Sequence, residues 1–505
     1  MNLGRTVPLR IWLALWLLLL TGGCGPAPDP QVIRMGLATV PVNLDPRFAT
    51  DAVSARVTRL LYRSLVEFDA ADRPIPGLAD WTQPAPDWYR FRLLPDAPGR
   101  LFDNGRRLTS EDVRATLAAL LDPATGSPFR AQLALVARME VLDPDRIDFH
   151  LTRPDPLFPT ALTLAILPAD LLAQGHPFSR DPQGSGPLRL RDWPEPGRLV
   201  LERRADGQIL ELVEAKDPGV RAMKLLRGEI DLIQGELPPE LFRLLGERPD
   251  LRVERAPGSN FSYLGLNLED PALANPLVRR ALAHAIDRDA IIHYVLGNGA
   301  SAAEALFRPQ HWAGHPDLPP YPHDPDLARR LLQEAGHGPD QPLQLEFKTS
   351  TDPFRVRLAT IIQAQLAAVG VRLGVRSLDW GTFYGDVKAG RFQVFSLTWV
   401  GVRTPDQFRY LFHSGSLPPD GANRGRYANP QVDSLIAAAE TLPTLEQQAP
   451  LYRQLQELLH RDLPYLPLWY EDQILARRQD LNGYRLSPDG SLDGLVRVRR
   501  TAPGS

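Results

Sequence analysis

Apolar positions along the chain fall into two alternating rhythms, one spaced for helices and one for strands. In "LTSEDVRATLAALLDP", Val113, Leu117, Leu120 and Leu121 recur three and four apart and form one stripe. Thr109 precedes them as N-cap, with Asp112 three residues on to complete a capping box. "NPLVRRALAHAI" repeats the start with Asn275 as cap and Pro276 in the first helical position. "DPDLARRLLQEAGHG" does so again with Asp324 and Pro325, and Gly336 stops it. Further on, "LQLEFKTS" reads as a strand, "PFRVRLATIIQAQLAAVG" as a helix closed by Gly370, and "VRLGVRSL" and "FQVFSLTW" as two more strands. Strand–helix–strand order predicts an α/β protein, a sheet covered by helices. Ligands in such sheets bind beyond the carboxyl ends of strands, which is where Trp399 stands. Strand ends also carry aromatics merely to seal a core, so position alone leaves both readings open.

Length and composition narrow the picture little. The 505 residues suit two to four domains at roughly 100–200 residues each. The 43% apolar and 23% charged residues are ordinary for globular chains. A formal charge of −3 gives no reason to propose nucleic acid as a partner. Prolines (50) and glycines (38) stay below the roughly 25–30% combined share of low-complexity chains, so the prolines read as stiffened loops.

The N-terminus changes the picture more. Arg5 and Arg10 precede "IWLALWLLLL", followed by "TGGCG": a basic region, a short apolar run too brief to span a bilayer, and small residues. This predicts a signal peptide over residues 1–23. Cys24 is the only cysteine in the chain, so it forms no internal disulfide. Its setting resembles the bacterial lipoprotein signal, in which such a cysteine is acylated and becomes the mature N-terminus. Thr21 stands where that pattern usually has Leu. Residues 24–31 then read as a Pro-rich, lipid-anchored tether.

Several stretches, in order, resemble the bacterial extracellular solute-binding proteins of family 5, the oligopeptide-, dipeptide- and nickel-binding components of ABC importers. They are "PVNLDPRFATDAVSARVTRLLYRSLVEFDAADRPIPGLADW", "LFDNGRRLTSEDVRATLAALLDPATGSPF", "GSGPLRLRDW", "AMKLLRGEIDLIQGELP", "YLGLNL…NPLVRRALAHAIDRDAII", "DPDLARRLLQEAG" and "NRGRYANPQVDSLI". The resemblance implies a periplasmic binding protein-like fold, two hinged α/β lobes with an additional inserted domain. Lobe I would take residues 32–66, 183–257 and 468–505, inserted domain II 67–182, and lobe III 258–467. Ligand would be buried as the lobes close about the hinge. The implied partners are a peptide or other small solute and the permease subunits, with membrane attachment through the lipid anchor alone. The chain would act as a periplasmic, lipid-anchored monomer without cofactor or metal. A sensor or envelope scaffold of the same fold, with no transporter, is the competing reading.

Carried over from the family, the ligand-binding candidates are Thr50, Asp51 and Ala52; Thr398, Trp399, Val400, Gly401 and Val402; and Trp469, Tyr470 and Glu471. The Ser350–Asp352 turn is a further candidate. Peptide-binding members keep an Asp three residues after the Trp, paired to the ligand's α-amino group, and here that position is Val402. A buried ammonium without a carboxylate is costly. Either the ligand lacks a free amine, or Glu471 or Asp406 substitutes; Asp406 is also placed to cap the helix after it. Arg403, Arg409, Arg424 and Arg426 cluster in sequence, and any one could take a carboxylate. No enzyme is expected: HExxH, G-x-S-x-G and P-loop motifs are missing, and the prolines around His311, His315 and His323 predict a loop in place of a zinc-binding helix.

Overall fold

The computed structural model describes residues 31–235, 237–419 and 421–501; the expected signal peptide, Cys24 and the expected tether before residue 31 lie outside it. The helix signals read from sequence are present. Thr109 donates its backbone N–H to Asp112 at the start of a helix over Ser110–Leu121, whose Val113, Leu117 and Leu120 are buried. Asn275 and Asp324 each accept a backbone N–H of the helix they cap, with Pro276 and Pro325 next.

The main sheet is built from ten strands. These are β1 (Val32–Leu37), β2 (Leu188–Glu195), β3 (Arg198–Arg203), β4 (Ile209–Glu214), β5 (Leu232–Gln234), β6 (Leu251–Leu266), β7 (Gln344–Ser350), β8 (Arg372–Leu378), β9 (Val394–Trp399) and β10 (Tyr465–Arg478). Their order is β8-β7-β9-β6-β10-β5-β1-β4-β3-β2, with a short strand at Ala300–Ala302 added onto β10. Two strands, β6 and β10, run through both halves. They pair antiparallel from Leu251 to Ala256 in lobe I and again from Asn260 to Gly265 in lobe III, and the ladder breaks between. That break, where the two lobes join, has the place of a hinge between them. Backbones approach so closely there that a Cβ on Gly258 would lie 2.0 Å from the Glu471 carbonyl oxygen, so only glycine fits. The loop after Ser487 braces it: the Pro488 carbonyl accepts the N–H of Ser259 (2.9 Å) and the Gln473 amide (3.4 Å).

Register shows where the strands aim. In lobe III β7 is parallel to β8 and β9, and β9 lies antiparallel to β6 with Trp399 opposite Phe261. In lobe I β1 is parallel to β4 and β5, and β5 ends with Gln234 opposite Leu475. The carboxyl ends of the parallel strands in both lobes therefore converge on the hinge. A separate four-stranded antiparallel sheet between Ala79 and Leu151 has its own core of Phe91, Leu117, Phe149 and their neighbours. The lobe I core joins β1 to residues as late as Val498, whereas the two lobe III cores lie on opposite sides of β6 and β9.

Candidate functional site

Three helices begin at the converging strand ends: α1 (Ala52–Leu61), α2 (Pro353–Ala367) and α3 (Trp380–Ala389). Each is capped by an aspartate, so Asp51, Asp352 and Asp379 accept backbone N–H groups of their own first turns. Asp51 is thus committed to Ser54 N (2.8 Å), with Thr50 and Ala52 exposed on either side of it.

At the lobe III edge the pairing of β6, β9 and β10 brings distant residues together. Ser262 lies opposite both Thr398 and Trp469, and Asn260 opposite Glu471. The Thr398 hydroxyl is 2.7 Å from the Ser262 hydroxyl, and Ser262 donates to Glu471 Oε1 at 2.8 Å. Thr398 reaches the same oxygen at 3.4 Å, and Arg355, from the first turn of α2, donates to Thr398 Oγ1 at 3.2 Å. Neither Glu471 nor Arg355 has an ion-pair partner among the described residues. Sequence reasoning singled out Thr398 and Glu471 but missed Asn260, Ser262 and Arg355, which are remote in the chain.

The other expected residues divide between core and rim. Val402 is 5% exposed and sits in the core that holds Phe307, Phe408 and Tyr470. Trp469 (1%) belongs to the core on the other side of the sheet, and Tyr470 (4%) donates its hydroxyl to the Ala305 carbonyl. These three, expected to face the cleft, present no surface there: Trp469 and Tyr470 alternate along their strand into opposite cores, and Val402, past the turn at Gly401, packs into one of them. Trp399 is half-buried, stacked on Tyr263 with the Arg424 guanidinium 4.9 Å from its ring centre. Val400 is 57% exposed, and Gly401 takes the left-handed φ of +71° that turns the chain away. Trp380 (58% exposed) and Phe354 add an apolar lip to the same edge that sequence reasoning did not single out.

The four arginines part company. Arg409 forms a fork with Glu440, Arg424 donates to the Tyr263 and Tyr384 hydroxyls, and Arg426 stands at a positive φ of 58°. Arg403 reaches across the cleft: it pairs with Asp489 of lobe I and lies 3.6 Å from Asp72 of the inserted unit, over the Phe68 ring. Burial pushes the Asp72 carboxyl up to about 6 despite Arg403 and Arg308. Burial also pushes Asp489 up, but Arg403, Ser487 and Arg59 together hold it below the usual carboxylate range. Beneath them His311, lowered to about 4 by burial, bonds the Arg403 carbonyl. Beside this bridge lies a cavity of about 720 Å³ lined by all three units, including Arg63, Asp72, Arg403 and Asp489, and by none of the eleven ligand-binding candidates. His315 and His323 go to Glu457 and Asp287, away from His311. Asp406 is the first residue of a short helix (Asp406–Phe412) capped by Pro405.

Two α/β lobes whose strand ends meet across two shared strands make the architecture of a two-lobed binding protein. Comparison with known proteins places the chain in a family. Residues 73–418 match the bacterial extracellular solute-binding proteins, family 5 Middle, and the chain belongs to that family. It is 30% identical over 487 residues to the "probable di/tripeptide-binding protein 5" of Pseudomonas aeruginosa, covering 87% of this chain and 90% of the relative. It is 26% identical over 497 residues to the glutathione-binding protein GsiB of Salmonella typhimurium, covering 95% and 96%. Among solved structures it resembles NikA from Brucella suis in complex with Fe(III)-EDTA, with TM-score 0.83 and 23% identity over 94% of this chain and 100% of the other. It also resembles AppA from Bacillus subtilis in complex with a nonapeptide, with TM-score 0.74 and 22% identity over 94% and 100%. No helix among the described residues is long and apolar enough to cross a membrane.

Proposed function

We propose that this chain is the extracytoplasmic, lipid-anchored substrate-binding component of an ABC importer, capturing a peptide or peptide-like solute between its lobes and handing it to a permease. The observation that carries this reading is the convergence of both sets of parallel strand ends on a hinge, with an unpaired carboxylate, Glu471, at the meeting point. Peptide names among the relatives support the ligand class. With Val402 turned into the core, Glu471 is the acid positioned to receive an amine. The domain limits derived from sequence and anchoring through Cys24 are part of the same proposal.

Calorimetric titration with a set of di- and tripeptides, with small-angle scattering on the same samples, tests it. Binding accompanied by a smaller radius of gyration is expected. Tight binding without compaction would point to a rigid scaffold, and absence of both binding and any co-purified solute would end the proposal.

A further inference from the structure

We infer that the pole of lobe I from which the chain leaves towards Cys24 lies against an anionic lipid surface, its arginines receiving headgroup phosphates. This rests on the lipid-anchored part of the reading above and adds an orientation to it.

The point where the chain enters the fold fixes the place. β1 runs towards the hinge, so its first residue, Val32, stands at the end of lobe I away from the cleft. Just before it, the Gln31 carbonyl accepts the Gln208 amide at 2.5 Å, on the turn between β3 and β4. Residues 24–31 can span at most about 25 Å, at roughly 3.3–3.6 Å each. An acyl chain on Cys24 therefore holds this pole within that reach of the bilayer.

Around that turn the ion pairs leave positive charge over. Arg189 and Arg191 share Glu202, Arg203 and Arg499 share Asp206, and Arg100 and Arg107 share Asp145. In each trio the looser arginine is the more exposed: Arg191 57%, Arg499 71% and Arg107 54%. Val32, Ile209, Glu202 and Arg189 lie in one row across four strands, so Arg189 is about 15 Å from the start of β1. Arg63, Arg100, Arg107, Arg203 and Arg204 line a cavity of about 710 Å³, with Asp96 the one acid among the described residues lining it. Leu101, 57% exposed, stands on its rim. The chain as a whole carries −3, so this surplus runs against its balance. Arginine forks suit phosphate oxygens. Each arginine near an anionic leaflet favours contact roughly fivefold, and three together about a hundredfold. With this pole down, the cleft opens away from the lipid and stays free for solute.

The test uses the protein extracted from its host membrane, reconstituted on vesicles of phosphatidylcholine alone or with phosphatidylglycerol. A fluorophore at Leu101→Cys reports the pole and one at Val400→Cys the cleft edge, with a quencher carried on the lipid headgroups. The Leu101 label should lose most of its emission on the anionic vesicles only, and the Val400 label on neither. High salt should restore it. So should Arg107→Gln, Arg191→Gln and Arg499→Gln combined, each of which leaves its carboxylate a second arginine. Matched thermal melts confirm folding. Equal quenching on both vesicles, quenching that survives the combined variant, or quenching of the Val400 label overturns the inference. If the protein floats with vesicles but neither label responds, the anchor stands and the oriented surface falls. If it floats with neither kind, the anchoring reading falls as well.

Discussion

Removing the Arg403 side chain should weaken the contact between the lobes and shift them towards an open arrangement. Arg403 is the lobe III group that pairs with Asp489 of lobe I while also facing Asp72 of the inserted unit, and its side chain is 18% exposed against 11% for each acid. Fully exposed ion pairs contribute about 0–1 kcal/mol, and breaking a fully buried one costs about 3–5 kcal/mol. Here Asp489 keeps Arg59 at 3.2 Å, and Asp72 keeps Arg308 at 4.0 Å, so neither acid is stranded. That places the loss in Arg403→Ala at about 2 kcal/mol, between the two limits. If the whole of it falls on closure, the open form gains roughly 30-fold. Small-angle scattering on the ligand-free variant should show a larger radius of gyration, and its apparent ligand affinity should fall by as much as the closed population does. Asp489→Asn should move both readings the same way. Unchanged scattering and affinity in both variants would mean that the bridge forms only as a bystander to packing.

Asp72→Asn should stabilise the protein near neutral pH. Its folded value, raised to about 6, favours the protonated form, so its stabilising contribution is complete below the ordinary carboxylate value and is lost as pH rises through 6. Asparagine removes that loss, at most about 3 kcal/mol at pH 7 from 1.4 kcal/mol per unit, and tolerates the left-handed φ of 58° at this position. Chemical denaturation at pH 4 and pH 7 should show the gain only at pH 7; an equal gain at both would point to the backbone alone. Val402→Asp should destabilise by about 3–5 kcal/mol, the scale of an unpaired buried charge. A stable variant with new preference for free-amine ligands would instead mean that this loop swings outward. Cys24→Ser should move the protein from the membrane to the soluble fraction, and continued sedimentation with membranes would refute anchoring by that cysteine.

What could be read from sequence was local. Caps such as Asn275 and Asp324 declare themselves within four residues, and the strand ending at Trp399 is written in its own composition. Asp51 shows the limit of local reading: the residue type that suits a ligand ammonium also suits a helix start, and the fold uses it for the latter. Trp469 and Tyr470 look like a binding pair because they adjoin Glu471, yet a central strand buried on both faces sends each into a different core. The partnership of Arg355 with Thr398, and that of Arg403 with Asp489, depends on β-register and inter-lobe packing across 43 and 86 positions. Periodicity carries no trace of such contacts.

The order in which the chain is made bears on how it can fold. The first strand, β1, shares its core with Leu492, Leu495 and Val498, and the buried Arg203 donates to the carbonyls of Leu495 and Val498. Lobe I therefore lacks part of its interior until Val498 has left the ribosome. At about 5–20 residues per second, β1 waits roughly 25–90 s for its final partners. Throughout that interval the N-terminal segment belongs to an unfinished protein, an interval in which export factors can engage a chain that has no finished lobe I to unfold.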